Sequence, residues 1–201
     1  MRLLFQLVSY IFHPIFLPLA GAVSYFLITP KYTPIELKSG NILPIFILTI
    51  IIPILSFFIL KNIGVVSSVF LTKPEERRYP LMINLVLLLM ILLKVIPDNY
   101  TIELYFFFLG LIAATSTCLL LLFIRFKASL HMVAMGTILM FLIALSFHFE
   151  RNIVIAISFM VFASGVVATA RLFLKAHSRA ELLIGFLVGI VSQLLTIKFW
   201  L

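Results

Sequence analysis

The chain is short of almost everything that keeps a protein in water. Only 11% of its 201 residues are charged, seven acidic and fifteen basic, and 64% are hydrophobic. Soluble domains carry about 25% charged and about 45–50% apolar residues, so a water-soluble fold is excluded. With one cysteine, Cys118, no intramolecular disulfide can form, and its place inside an apolar run suits a small hydrophobe. No repeat, low-complexity tract or polar domain interrupts the sequence, so residues 1–201 read as a single integral-membrane domain. The net charge of +8 would suggest nucleic acid for a soluble protein. Here lipid headgroups and anionic substrates are the expected counter-charges, and no nucleic-acid partner is expected.

What remains is apolar run after apolar run. A spanning helix needs roughly 20 mainly apolar residues, and hydropathy marks seven segments: Leu3 to Ile28, Ile42 to Leu60, Leu81 to Ile96, Leu104 to Phe123, His131 to Phe147, Ile153 to Ala170 and Leu182 to Ile197. The expected fold is all-α, a polytopic helical bundle of six or seven spans in the cell (inner) membrane. Pro14 and Pro18 remove backbone donors from the first segment, which becomes a bent span or an interfacial helix. Its start superficially resembles a signal peptide, but a chain apolar throughout is expected to retain it. The motif-bearing part runs from about residue 62 to 197.

The loops after the second, fourth and sixth segments are separated by two crossings each. Thr72 to Pro80, Arg125 to His131 and Arg171 to Glu181 therefore belong on one side of the membrane, whether or not the first segment spans. These loops hold most of the polar chemistry, including Lys73, Arg77, Arg78, Ser129, His131, Arg171, His177 and Glu181. Lys and Arg beside two His and a carboxylate suit a tetrahedral oxyanion, which guanidinium and ammonium groups neutralise. Ser129 stands where a helix begins, so its hydroxyl and nearby amides can hold a phosphate oxygen. His177 and Glu181 are four residues apart; on a helix they would share a face, with the carboxylate fixing the imidazole tautomer.

At these residues the sequence resembles the type-2 phosphatidic-acid phosphatase superfamily. Lys73 with Arg77, Arg78 and Pro80, then Ser129-x-His131, then Arg171-x5-His177-x3-Glu181 are similar to its three motifs, in order. Departures accompany the likeness: the first motif is two residues short, with Tyr79 before Pro80. Ala128 and Leu130 replace Pro and Gly, Ala170 replaces Ser, and Glu181 replaces Asp. Either Arg77 or Arg78 can take the phosphate role. The resemblance implies a metal-independent lipid phosphatase without cofactor, hydrolysing a phosphate monoester or diphosphate of a lipid. In that scheme His177 is the nucleophile, held by Glu181, and His131 is the acid and then the base. Lys73, Arg77 or Arg78, Ser129 and Arg171 hold the oxygens. Its partners are the lipid phosphate and the surrounding lipids.

Two other functions fit the same residues: a phosphoryl or headgroup transferase using the same histidine, and an inactive lipid- or anion-binding or transport protein. Plainer roles compete residue by residue. Ser178-x-x-Glu181 is also a capping box and Ser129 an N-cap. Thr72-x-x-Glu75 can start an interfacial helix with Glu76, Arg77 and Arg78 solvated. His13 beside Pro14 reads first as a satisfied polar residue at a kink, and His148 to Arg151 as an exposed turn. Basic loops are also topology signals: most Lys and Arg lie on the motif side, which the positive-inside rule would make cytoplasmic, but setting aside Lys73, Arg78 and Arg171 as ligands leaves seven against five and the orientation open. Asn84, Thr115 to Thr117 and Ser192-Gln193 are expected to make interhelical hydrogen bonds.

Overall fold

The computed structural model describes residues 1–67, 74–96 and 100–201. Within them every regular element is helical, and seven helical stretches are long and apolar enough to cross a membrane. The first is broken in two. α1 (Arg2–Ile11) stops before Pro14, a 3-10 turn covers Pro14–Phe16, and α2 (Leu17–Ile28) completes the stretch. Proline supplies no N–H to the preceding turn and its ring crowds the carbonyl four residues back, so the helix ends there.

α3 (Ile35–Phe46) and α4 (Ile52–Asn62) run on through a π turn at Ile47–Ile51. Pro44 and Pro53 bracket that turn, each removing a backbone donor from the ladder. This stretch starts at Ile35, earlier than hydropathy suggests, because Glu36, Lys38 and Asn41 occupy its first turns. α5 (Pro74–Met90) corrects the expected loop Thr72 to Pro80: Glu75 to Pro80 are helical, with a π turn at Ile91–Val95 closing the span. α6 (Ile102–Phe123), α7 (Leu130–His148), α8 (Val154–Phe173) and α9 (Arg179–Ile197) follow. Arg171 therefore lies in the last turn of α8, and Arg179 to Glu181 in the first turn of α9, rather than in one loop.

α7 is the central helix: 72% of its span is buried, against 17–39% for the others. It packs closest on α9, because glycine lets the two backbones touch. A Cβ on Gly185 would lie 2.7 Å from the Ser129 carbonyl, and one on Gly189 2.1 Å from that of Val133. On the other side, Tyr25, Phe107, Phe108 and Phe141 are fully buried between α2, α6 and α7. Leu55, Leu120, Phe123, Phe162 and Leu195 point outward and stay exposed. Beside lipid tails such surface carries no penalty, and helix association rests on close packing instead.

Several polar groups inside the bundle are tied locally or across helices, while Thr49 Oγ1 and Trp200 Nε1 are buried without a partner among the described residues. Gln193 donates to the Phe107 carbonyl across α6 and α9 at 3.0 Å, as expected. Thr115 and Thr117 instead bond carbonyls one turn back in their own helix. Cys118 is buried between Ala114 and Leu122. Glu103, fully buried in the first turn of α6, accepts from Lys31 Nζ at 2.6 Å and Tyr25 Oη at 3.1 Å, and lies 3.0 Å from His148 Nε2. Of the turn expected to be exposed, Glu150 and Arg151 are exposed, while His148 is half-buried and fastened to α6 through Glu103.

Candidate anion site at the α7 and α9 N-termini

α8 ends on a backbone reversal in which the Ala176 N–H bonds the Arg171 carbonyl at 3.1 Å and the Lys175 N–H that of Leu172 at 2.9 Å. Lys175 takes φ 51°, the left-handed region where glycine is the usual cap. The turn brings His177 back over the helix end it has just left. Ser178 then caps α9: its hydroxyl accepts from the Glu181 N–H at 3.3 Å, and Glu181 Oε2 accepts from the Ser178 N–H at 3.0 Å. The same carboxylate oxygen accepts from His177 Nδ1 at 2.9 Å. His177 and Glu181 meet through this capping box, not along a shared helix face, since His177 precedes the helix. The capping and orienting roles of Glu181 coexist.

The bond fixes the imidazole. A carboxylate only accepts, so neutral His177 carries its proton on Nδ1 and a lone pair on Nε2. Burial foremost, and then the positive charge of Arg77, hold His177 well below the ordinary histidine value; the Glu181 bond pulls the other way. At neutral pH His177 is an uncharged, oriented base or nucleophile.

Ser129 sits against this turn. Its backbone N–H donates to the Glu181 carbonyl at 3.0 Å, joining the start of α7 to the start of α9. Its side chain makes no cap bond; the hydroxyl is fully buried and has no partner among the described residues. The plain N-cap role therefore does not account for its hydroxyl. From α5, Arg77 turns inward, is buried, and donates Nη1 to the Ala128 carbonyl at 3.3 Å. Glu76 is also buried, its carboxylate on the Ser67 hydroxyl and N–H. Arg78, one residue on, is exposed with its guanidinium 5.4 Å over the Phe123 ring. Arg77 is thus the arginine of this pair that joins the cluster, and Lys73 lies outside the described residues.

Arg171 completes the set from the end of α8. It is buried, and among the described residues its Nε has no partner and no carboxylate lies at ion-pair distance from it. Its charge reaches His13, His131 and His177. A buried guanidinium without a counter-charge is costly, and a bound anion would offset that cost.

His131, buried in the first turn of α7, is held from an unexpected direction. Its Nε2 lies 3.0 Å from the Ser9 backbone carbonyl in α1, and its ring meets that of His13 edge-on at 5.5 Å between centroids. A carbonyl only accepts, so neutral His131 carries its proton on Nε2 and offers Nδ1 as the working nitrogen. Ser9 and His13 are the neighbours of His131 that motif spacing did not reveal. Pro14 was the available signal, because a broken helix leaves carbonyls that need donors.

No family model, no curated protein and no solved structure matches the chain. The site is therefore read from its own chemistry.

Proposed function

We propose that the chain is a membrane lipid phosphatase that hydrolyses a phosphate monoester or diphosphate of a lipid through a phosphohistidine intermediate. The observation that carries this reading is a pair of buried, unpartnered donors, Arg171 Nε and the Ser129 hydroxyl, beside the neutral, carboxylate-held His177. Donors without acceptors call for an oxyanion, and a nucleophile beside them calls for transfer of that oxyanion.

In the proposed cycle His177 Nε2 attacks phosphorus with its lone pair as the P–O bond to the lipid breaks. A substrate bound as the monoanion gives its phosphate proton to His131 Nδ1, which passes it to the leaving oxygen. A water then gives its proton to His131 Nδ1 and attacks phosphorus, the P–N bond breaks, and His177 regains its lone pair. Arg171, Arg77 and Ser129 stabilise the charge that builds on the equatorial oxygens, where fixed donors in a shielded site act most strongly. The apolar tail remains among the helices, in keeping with a chain composed mainly of spans and placed in the cell membrane. The three polar segments then share one membrane face.

The test is phosphate release from a panel of lipid phosphates by the purified protein, sensitive to vanadate. His177→Ala is expected to abolish release while inserting and folding normally; full activity in that variant removes the reading. Transfer to an alcohol in place of water would mark a transferase, and binding without turnover a binding or transport protein.

A further inference from the structure

We propose that His13 is a third imidazole of this anion site, donating its Nε2–H to an oxygen of the bound phosphate, so that the first span forms part of the site. The inference rests on the phosphate reading above, and it starts from the hydrogen bond His13 already makes.

His13 is the N-cap of the 3-10 turn Pro14–Phe16, its Nδ1 accepting the Ile15 N–H at 3.3 Å. An imidazole nitrogen that accepts carries no proton, so in neutral His13 the proton is on Nε2. That N–H finds no acceptor among the described residues: the bond to Ile15 is the one hydrogen bond of this side chain. The ring is half-buried, edge-on to His131, and within reach of the Arg171 charge. The two rings meet edge-on without a hydrogen bond between them: His131 Nε2 is taken up by Ser9, and its Nδ1 is left for the reacting group. Among the described residues Arg171 Nε and the Ser129 hydroxyl are buried without a partner, and the half-buried His13 presents an Nε2–H that bonds no protein acceptor. Capping alone does not require this residue, since Asn, Asp and Ser are the better N-caps. An oxyanion would give all three groups an acceptor at once.

The two roles separate by substitution. His13→Asn keeps an acceptor for the Ile15 N–H but removes the Nε2 donor; His13→Ala removes both. Orthovanadate is the probe, its binding to the detergent-solubilised full chain followed by thermal shift beside KM and kcat for a lipid phosphate. The expected result is that His13→Asn melts like wild type yet binds vanadate about tenfold more weakly, the size of one hydrogen bond to a charged group. KM should rise with it. Wild-type vanadate affinity and KM in His13→Asn, with a lowered melting temperature in His13→Ala, would leave His13 a cap and overturn the proposal while the phosphate reading stands. Failure of the wild-type chain to bind vanadate or release phosphate would overturn both. If the Asn variant does not fold, the side-chain 15N resonances of histidine-labelled wild type decide: His13 Nε2 should shift on vanadate titration, and an unmoved resonance rejects the role.

Discussion

His131 Nε2 and the Ser9 carbonyl lie 3.0 Å apart across 122 residues of sequence, and Pro14 is the reason the contact exists. In an unbroken helix the Ser9 carbonyl would accept from the N–H of His13. Here the His13 N–H turns to Tyr10 at 3.3 Å instead, because the helix is already ending ahead of the proline. A carbonyl released at a helix terminus needs a donor, and His131 supplies it. The backbone of the first span thereby sets the tautomer of a histidine in the fifth.

Pro14→Ala tests that chain of cause. With the break removed, the His13 N–H can close the helix on Ser9, and His131 loses its acceptor. The expected outcome is a kcat at least about tenfold lower with no loss of thermal stability, because a helix-breaking residue has been removed from the span. An unchanged kcat would show that Ser9 does not orient His131.

Glu181→Gln separates the two duties of Glu181. Glutamine also completes a capping box, so α9 should keep its start and the protein its melting temperature. The negative charge that orients His177 and supports positive charge on its ring is lost, and kcat is expected to fall by about 10²-fold or more. Single-turnover release of phosphate measures it; wild-type kcat in this variant would reduce Glu181 to a cap.

The pH profile follows from His177. Its pKa is depressed by burial and by Arg77, so it stays neutral below the ordinary histidine value. The acid limb of kcat for the wild type is therefore expected below pH 6.5, and Arg77→Gln should move that limb to higher pH. The stability linkage has the same origin: below pH 6.5 the unfolded chain binds the proton that folded His177 refuses, so stability falls as pH falls. An acid limb at or above pH 6.5 in the wild type would contradict this environment.

At the other end of the bundle, Glu103→Gln removes the charge shared by Lys31, Tyr25 and His148. Breaking buried hydrogen bonds to a charged group costs about 1–3 kcal/mol, so the melting temperature should drop. Phosphate release per folded molecule should not change, because these groups lie apart from His177 and Arg171. A stable variant with altered turnover would instead tie this cluster to the site.

What could be read without coordinates was what adds up locally. Hydropathy is a sum over neighbours, and it marked seven spans, two of which start seven residues earlier than expected because the polar stretches Ile35–Asn41 and Pro74–Pro80 joined helices. Pro14 announced a break because its missing N–H is a property of one residue. The four-residue spacing of His177 and Glu181 announced their pairing, although a capping box and not a helical face delivers it. Other decisions needed the fold. Successive residues on a helix point about 100° apart, so the rotation of α5 buries Arg77 against Ala128 and leaves Arg78 on Phe123, a choice with no signature in the string Glu-Glu-Arg-Arg. The touch of α7 on α9 at Gly185 and Gly189 brings Ser129 to Glu181. The folding of α1 onto the bundle gives His131 its acceptor and sets His13 beside it. Local pattern determined which segments are helices and which residues carry charge; helix rotation and packing between distant segments decided which of those charges meet, because those contacts join residues that no local window contains.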